Sequence, residues 1–590
     1  SMKRFLPSLL AIALTCASLE SIAATDAVYF NGKVFTANTA QPLAQAVAVE
    51  NGKILAVGSD QQMLALADGK TQRIDLAGKV LMPGMIDSHS HPVMGGAASL
   101  RANLYDEILP LSELQQWIIE QDKAGIARMG DIVVISGTSS GYWDKASEIG
   151  QVFNQGTWAK QPLVLEGIDG HTGWANNVML ERAGINQALI RTLDEKNASY
   201  IGQNKDGTPN GYLSEAGWDR VRSLLPQASA EDMLNAARAG VRANNEVGVT
   251  AWMDAAANAG AADDVFELKP TAETVGVLPL YKALADKGEL SAHVAALMIV
   301  NPRSTPQDLE MVKTVMARFQ GVPNLTTPGI KVFADGILEF PGQTAAVIDP
   351  YTNSLKQGQL LIDPANFGKL VDAAEDNGWL VHVHAVGDRA VREALNGIEY
   401  ARTQNPTSAA THSISHLQLV NPKEFQRFKQ LDVIASMQLA WALGEVYSID
   451  LVQPYVSAFA YRYQYPAQSL KKAGATIAGA SDWPVSSPSP WLAIYHAVTR
   501  KGPLGVLNAK EGIDRESMFY AYTINAAKAL NLQDQIGSLE PGKQADMIIL
   551  DRDVFTVSDD QLLETKVLQT LFAGKPVFTA DNSNNTEIQP

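Results

Sequence analysis

The 590-residue chain has one cysteine, Cys16. A chain with no cysteine beyond that point has no disulfide framework, so whatever stabilises it must come from its core. Positive charge is also in short supply. Lysine and arginine number 47 against 63 aspartates and glutamates, a net charge of −16. That balance argues against nucleic acid or an anionic membrane surface as partner. Long apolar runs are missing as well. The one apolar stretch that stands out is Leu9-Leu10-Ala11-Ile12-Ala13-Leu14, preceded by Lys3 and Arg4 and followed by Ser21-Ile22-Ala23-Ala24. It is shorter than the roughly 20 residues that span a bilayer. Residues 1–24 instead read as a secretory signal peptide cleaved after Ala23 or Ala24, which predicts a periplasmic or secreted protein. There are no repeats and no low-complexity tract, only a polar tail over 581–590.

Histidine is scarce too: nine in all. Two stand one residue apart at the end of an apolar run, Leu81-Met82-Pro83-Gly84-Met85-Ile86-Asp87-Ser88-His89-Ser90-His91. In a strand, residues i and i+2 share a face. His89 and His91 therefore present two imidazoles side by side, half of a metal site.

The rest of the chain indicates where the other half lies. Residues 25–83 read as short strands, with Asn31-Gly32 and Asn51-Gly52 as hairpin signals. Residues 535–580 supply further strands, including Ala545–Leu550 and Val567–Leu571. Both ends are expected to build one small β-sandwich. Between them, residues 84–534 alternate strands with helical stretches, which predicts an α/β fold with a parallel sheet. Eight strands are expected: Met85–His89, Gly248–Met253, Ala292–Val300, Ile330–Ala334, Leu380–His384, Ser413–His416, Val433–Met437 and Thr476–Ala480. Eight such strands predict a (β/α)8, TIM-like barrel with its site at the strands' C-terminal ends. The gap after the first strand is too long for one helix. Residues of about 100–240 are expected to form an insertion with strands Ile132–Ser136 and Leu163–Glu166, placed over the mouth and setting selectivity.

His384, His416 and Asp482 each close a predicted barrel strand. With His89 and His91 they make a coherent set of ligands for a first-row metal. Lys331 lies inside the apolar fourth strand, where a bare ammonium is costly. Two readings stand: neutralisation by Asp335 or another buried acid, or carboxylation to a carbamate that bridges two metals. His382 reads as a packing residue, and His293 and His496 as structural. His412 either supports the sixth strand or faces substrate, and His171 is either a turn residue or a substrate contact. Trp174, with Trp143, Trp158, Tyr142 and Tyr212, could line a pocket for an apolar or aromatic group or pack in a core.

These motifs resemble the metal-dependent amidohydrolase superfamily, and more narrowly amidohydrolase family 3, the N-substituted formamide deformylase-like branch. The resemblance rests on Pro83–His91, Asp169-Gly170-His171-Thr172-Gly173-Trp174-Ala175-Asn176, Lys331–Gly336, His384–Ala390, Ser481–Val485 and Gly537–Asp546. It implies metal ligands at His89, His91, His384 and His416, with Asp482 as ligand and proton shuttle. It implies one or two zinc ions, two favoured, with a carboxylated lysine at Lys331. One departure stands out: relatives carry an acid just before the sixth-strand histidine, and here that residue is Ser415.

The expected reaction is hydrolysis of a non-peptide carbon–nitrogen bond, an amide, N-formyl or N-acyl group, by metal-bound hydroxide with Asp482 moving the proton. Substrate contacts are expected from His171, His412 and Trp174. Rival readings are a one-metal ring-amidine deaminase, an esterase or lactonase on the same site, and a catalytically silent periplasmic binding protein. The deaminase is disfavoured because Ala385-Val386-Gly387-Asp388-Arg389 after His384 offers no glutamate. The expected partner is a small-molecule substrate. A homodimer is compatible with the sequence, and no feature fixes it.

Overall fold

A computed structural model describes residues 25–581; the expected signal segment, Cys16 and the last nine residues of the tail lie outside them. The chain divides into two compact units. One comprises the described residues up to Pro92 together with those from Gly240 onward, and the other is Val93–Ala239.

In the first unit both chain ends contribute to a β-sandwich. Its four-stranded sheet runs Lys53–Gly58, Ala46–Glu50, Ala27–Phe30, Gln72–Asp75. Its six-stranded sheet runs Lys575–Thr579, Val567–Phe572, Met547–Leu550, Val80–Pro83, Lys33–Phe35, Leu43–Ala44. Val34, Val47, Leu81, Ile549 and Leu571 from the two sheets are buried in one core. Each such side chain contributes about 1.5–3 kcal/mol by leaving water. Asn51-Gly52 is the hairpin turn the sequence announces. Both residues have positive φ, and the flanking strands pair antiparallel, Glu50 opposite Lys53. Asn31-Gly32 is not a hairpin. Ala27–Phe30 is already paired on both sides, by Ala46–Glu50 and by Gln72–Asp75. The chain therefore turns at Gly32 and enters the other sheet. A Cβ at Gly32 would lie 2.4 Å from Leu76 Cδ1, so any larger residue at that crossing would require the Leu76 side chain to shift.

The large middle is an eight-stranded, all-parallel sheet. In spatial order its strands are Met85–Ser90, Val249–Asp254, His293–Ile299, Leu325–Phe333, Leu380–Ala385, Ser413–His416, Ile434–Met437 and Ile477–Gly479. This is the expected TIM-like barrel. The first, second and fifth strands are buried along their whole length, as parallel strands covered on both faces must be. Ser88 Oγ donates to Gly479 O (2.8 Å) and the Asp482 N–H donates to His89 O (2.8 Å), tying the first strand to the eighth. The helix Asp388–Gln404 shows how the outer layer forms. Ala390, Val391, Ala394, Leu395, Ile398 and Ala401 fall on one buried stripe at three- and four-residue intervals.

The unit Val93–Ala239 follows the first barrel strand, as an insertion must. It has its own six-stranded sheet, ordered Ile201–Gln203, Pro209–Ser214, Thr172–Ala175, Leu163–Gly167, Ile132–Thr138, Arg128–Met129. Ile132–Thr138 and Leu163–Gly167 pair in parallel at its centre. Phe153, Trp158, Trp174 and Tyr142 pack in its core. Among the described residues no helix is long and apolar enough to cross a membrane.

Candidate metal centre

Parallel pairing puts the predicted ligands on one rim. Phe333 is opposite His384, and Ala385 is opposite His416, so the fourth, fifth and sixth strands end in register. His89 and His91 reach the same place from the first strand. The Nε2 atoms of His89 and His91 lie 3.2 and 3.1 Å from the same oxygen, Asp482 Oδ1. Donor atoms of His89, His416 and Asp482 all lie within 4.8 Å of one another.

The backbone bends to achieve this. His416 has φ +83° and Asp482 φ +53°, left-handed values that cost a non-glycine residue of order 1 kcal/mol or more. Both residues sit where a strand gives way to a loop, and the turn aims each side chain into the barrel mouth. Such strain survives only where surrounding contacts hold it.

Electrostatics favour cation binding. Burial, reinforced by Lys331 and by the crowding of the imidazoles themselves, holds His89, His382 and His416 well below the ordinary imidazole value. Burial and Lys331 bring His384 down to about 3. Neutral imidazoles have a lone pair to give. Burial opposes ionisation of Asp482, but the adjacent His91, His416 and Lys331 side chains together hold its carboxyl below the usual value. Asp482 Oδ1 and His91 Nδ1 are buried without a hydrogen-bond partner among the described residues. Buried polar atoms are rarely left so. Orphaned oxygen, clustered neutral imidazoles and an ionised carboxylate are a donor set that fits a divalent first-row metal.

A profile of the Amidohydrolase family matches residues 72–578. The chain belongs to this family. It is similar to Protein LONG AFTER FAR-RED 3 of Arabidopsis thaliana, with 27% identity covering 94% of this chain and 91% of that protein. It is similar to the N-substituted formamide deformylase of Arthrobacter pascens, with 26% identity covering 93% and 97% of the two chains. A metal-dependent hydrolase of Pyrococcus horikoshii has the same fold, at TM-score 0.67 and 24% identity, covering 90% of this chain and 99% of that one. The protein is a metal-dependent hydrolase of the amidohydrolase superfamily.

Two members of the predicted set are placed differently from the rest. His384 Nε2 lies 2.9 Å from Gly336 O and 3.5 Å from Asp335 Oδ1, so the atom it offers a metal is Nδ1. Its ring centroid is 4.5 Å from that of His416. Lys331 is buried with Nζ 4.6 Å over the Phe333 ring. Burial lowers its pKa to about 8, against the opposing pull of Asp482 and Asp254. Asp335 is not its counter-ion. That carboxylate accepts the N–H groups of Ala346, Val386 and Gly387 at 2.8–3.0 Å.

Several residues the sequence did not disclose organise the amidohydrolase site. Gln438 Oε1 accepts from His416 Nδ1 (2.9 Å), and its amide donates to Ser415 Oγ (3.1 Å). Gln438 therefore supports His416, while Ser415 Oγ faces His89 Nδ1 at 3.1 Å. Asp87 accepts the backbone N–H groups of His89 and Ser481, locking the first and eighth strands together. Asp254 ends the second strand, buried, and accepts from Tyr281 Oη at 2.6 Å. Trp441 stacks on His416, with centroids 5.5 Å apart and planes 11° apart.

Of the three predicted substrate contacts, two have the polar atoms of their rings occupied within the fold. His412 is fully buried: Nδ1 accepts from Val381 N–H (2.9 Å) and Nε2 meets Glu375 Oε1 (2.7 Å). Both ring nitrogens are spent on supporting the sixth strand, so this corrects the substrate reading. Trp174 is likewise buried, its Nε1 donating to Ala146 O (3.1 Å) and Asn210 O (3.0 Å), a core residue rather than a pocket wall. His171 is exposed, with Nδ1 3.7 Å from Glu215 Oε2. His293 pairs with Asp546 and His496 with Ala440 O, both structural as expected.

Proposed function

We propose that this amidohydrolase cleaves a carbon–nitrogen bond outside a peptide, in an amide, N-formyl or N-acyl amine. His89, His91 and Asp482 would hold a first zinc ion. His384 and His416 would hold a second, and carboxylated Lys331 would add a further oxygen ligand. Bound zinc supplies Lewis acidity, which polarises a carbonyl and lowers the pKa of water to about 7. The protein's own part is proton movement and orientation. Asp482 accepts a proton from water as its oxygen adds to the carbonyl carbon. It returns that proton to the leaving nitrogen as the carbon–nitrogen bond breaks, so that an acid and an amine leave.

The observation that carries this reading is Asp482 Oδ1, buried, without a hydrogen bond among the described residues and within 3.2 Å of two imidazole nitrogens. An oxygen so placed could both ligate a cation and accept a proton. The carbon–nitrogen specificity is supported by similarity to the N-substituted formamide deformylase along nearly the whole chain. Carboxylation of Lys331 is supported by its burial and lowered pKa, which leave a fraction of neutral amine to combine with carbon dioxide. A panel of N-formyl amines, N-acyl amines, esters and lactones tests the reading. Zinc-dependent release of amine is expected. Turnover confined to esters or lactones would overturn the bond assignment.

A further inference from the structure

His382 lies one strand pair below His384 and has no place in the ligand set. Its side chain is fully buried. Its Nε2 is 2.8 Å from His89 Nδ1, and its Nδ1 is hydrogen-bonded to Ser413 Oγ at 2.5 Å. The two imidazole planes are tilted by 38°, with centroids 5.0 Å apart. Ser413 faces His382 directly across the fifth and sixth strands, so the register itself supplies the third partner.

Between two neutral imidazoles one nitrogen must donate and the other accept. Either order satisfies the pair in isolation. His89 Nε2, which points at Asp482 Oδ1, must keep its lone pair if it is to bind a cation. The His89 proton then sits on Nδ1 and is donated to His382 Nε2. His382 in turn must carry its proton on Nδ1, donated to Ser413 Oγ. His89 Nδ1 also lies 3.1 Å from Ser415 Oγ, which accepts from the Gln438 amide and can share the His89 proton as a second, longer acceptor, so every donor meets an acceptor in this order. The reverse order puts a proton on His89 Nε2 and blocks it.

We infer that His382 is a positioning residue: with Ser413 behind it, it fixes His89 in the Nδ1–H tautomer and holds Nε2 open for the metal. The inference rests on the reading of His89 as a ligand. A neutral imidazole here does the work that a carboxylate or backbone carbonyl more often does behind a ligating histidine. An imidazole adds no negative charge, so the site keeps its affinity for a cation without a second buried anion to balance.

Competition between the purified enzyme and a chelator for Zn²⁺ alone tests this, with turnover unused. His382→Phe fills the volume but offers no acceptor. Its zinc affinity should fall about 10- to 100-fold. His382→Gln, whose Oε1 can reach the same point, should restore most of it. A residue that merely packs would leave the phenylalanine variant binding zinc as tightly as the wild type, and that result overturns the inference. Should His382→Phe not fold, Ser413→Ala decides. It removes the acceptor that fixes the His382 proton, and a weaker zinc affinity at unchanged circular dichroism is expected; unchanged affinity overturns the inference. Wild-type enzyme that binds no zinc would instead sink the ligand reading beneath it.

Discussion

The side-chain amide of Gln438 faces two ways: its oxygen takes the Nδ1 proton of His416 at 2.9 Å, and its nitrogen reaches Ser415 Oγ at 3.1 Å. This fixes His416 with Nε2 free. Gln438→Leu should leave the fold intact and weaken metal binding at His416 about 10- to 100-fold. Gln438→Glu, which keeps the acceptor, should lose much less. Zinc titration of the two variants checks this, and equal affinities would remove Gln438 from the site.

In the proposed reading, carboxylated Lys331 would set how many ions the site holds. Lys331→Met preserves the apolar stem and removes the amine. Zinc content measured by elemental analysis should drop from two ions per chain to one, with turnover lost. In the wild type, enzyme equilibrated with ¹³C-bicarbonate should give a carbamate carbon signal that the variant lacks. Two ions retained in Lys331→Met would rule out the bridge.

The pair His412–Glu375 should make the barrel acid-labile. Burial depresses His412 below its ordinary 6.5, and the hydrogen bonds of Glu375 lower its carboxyl against an opposing burial effect. Groups depressed in the folded state bind more protons when unfolded, so their stabilisation is present above the unfolded pKa and lost as pH falls below it. Melting temperature should therefore fall on acidification from about pH 7 to 5. His412→Gln should lower the melting temperature at pH 7 and shrink that fall. A fall of unchanged size would show that His412 does not contribute.

Trp174 separates core from pocket. Truncation of a fully buried tryptophan costs about 3–5 kcal/mol. Trp174→Ala should lower the stability of the Val93–Ala239 unit by that order in urea unfolding. A variant of wild-type stability with a raised KM would return Trp174 to the substrate.

The barrel was legible because its strands are buried apolar runs ending in chemistry. All eight are present, most within two residues of the expected bounds. The fourth begins at Leu325 rather than Ile330, since Thr326-Thr327-Pro328 reads as a loop yet still pairs with Val294 and Ala295 through Leu325 and Thr326. The candidate ligands stood out for the same reason, as lone polar residues at strand ends. The groups behind them were not. Gln438, Ser413 and Asp254 belong to no local pattern, and their partners are set by register between strands rather than by spacing. Asp254 does end an apolar strand, and that signal was there to be read. His412 and Trp174 were ambiguous because a buried ring and a pocket ring look alike in sequence. What separates them is whether the ring nitrogens are already occupied, as both of His412's are.

The central claim is that Asp482 both faces the metal and carries the proton. Asp482→Asn keeps an oxygen toward the site but cannot accept the proton. On the best substrate of the wild type, its zinc content should match the wild type while kcat falls about 10²- to 10⁴-fold. An Asp482→Asn enzyme that holds zinc and turns over at the wild-type rate would contradict the account.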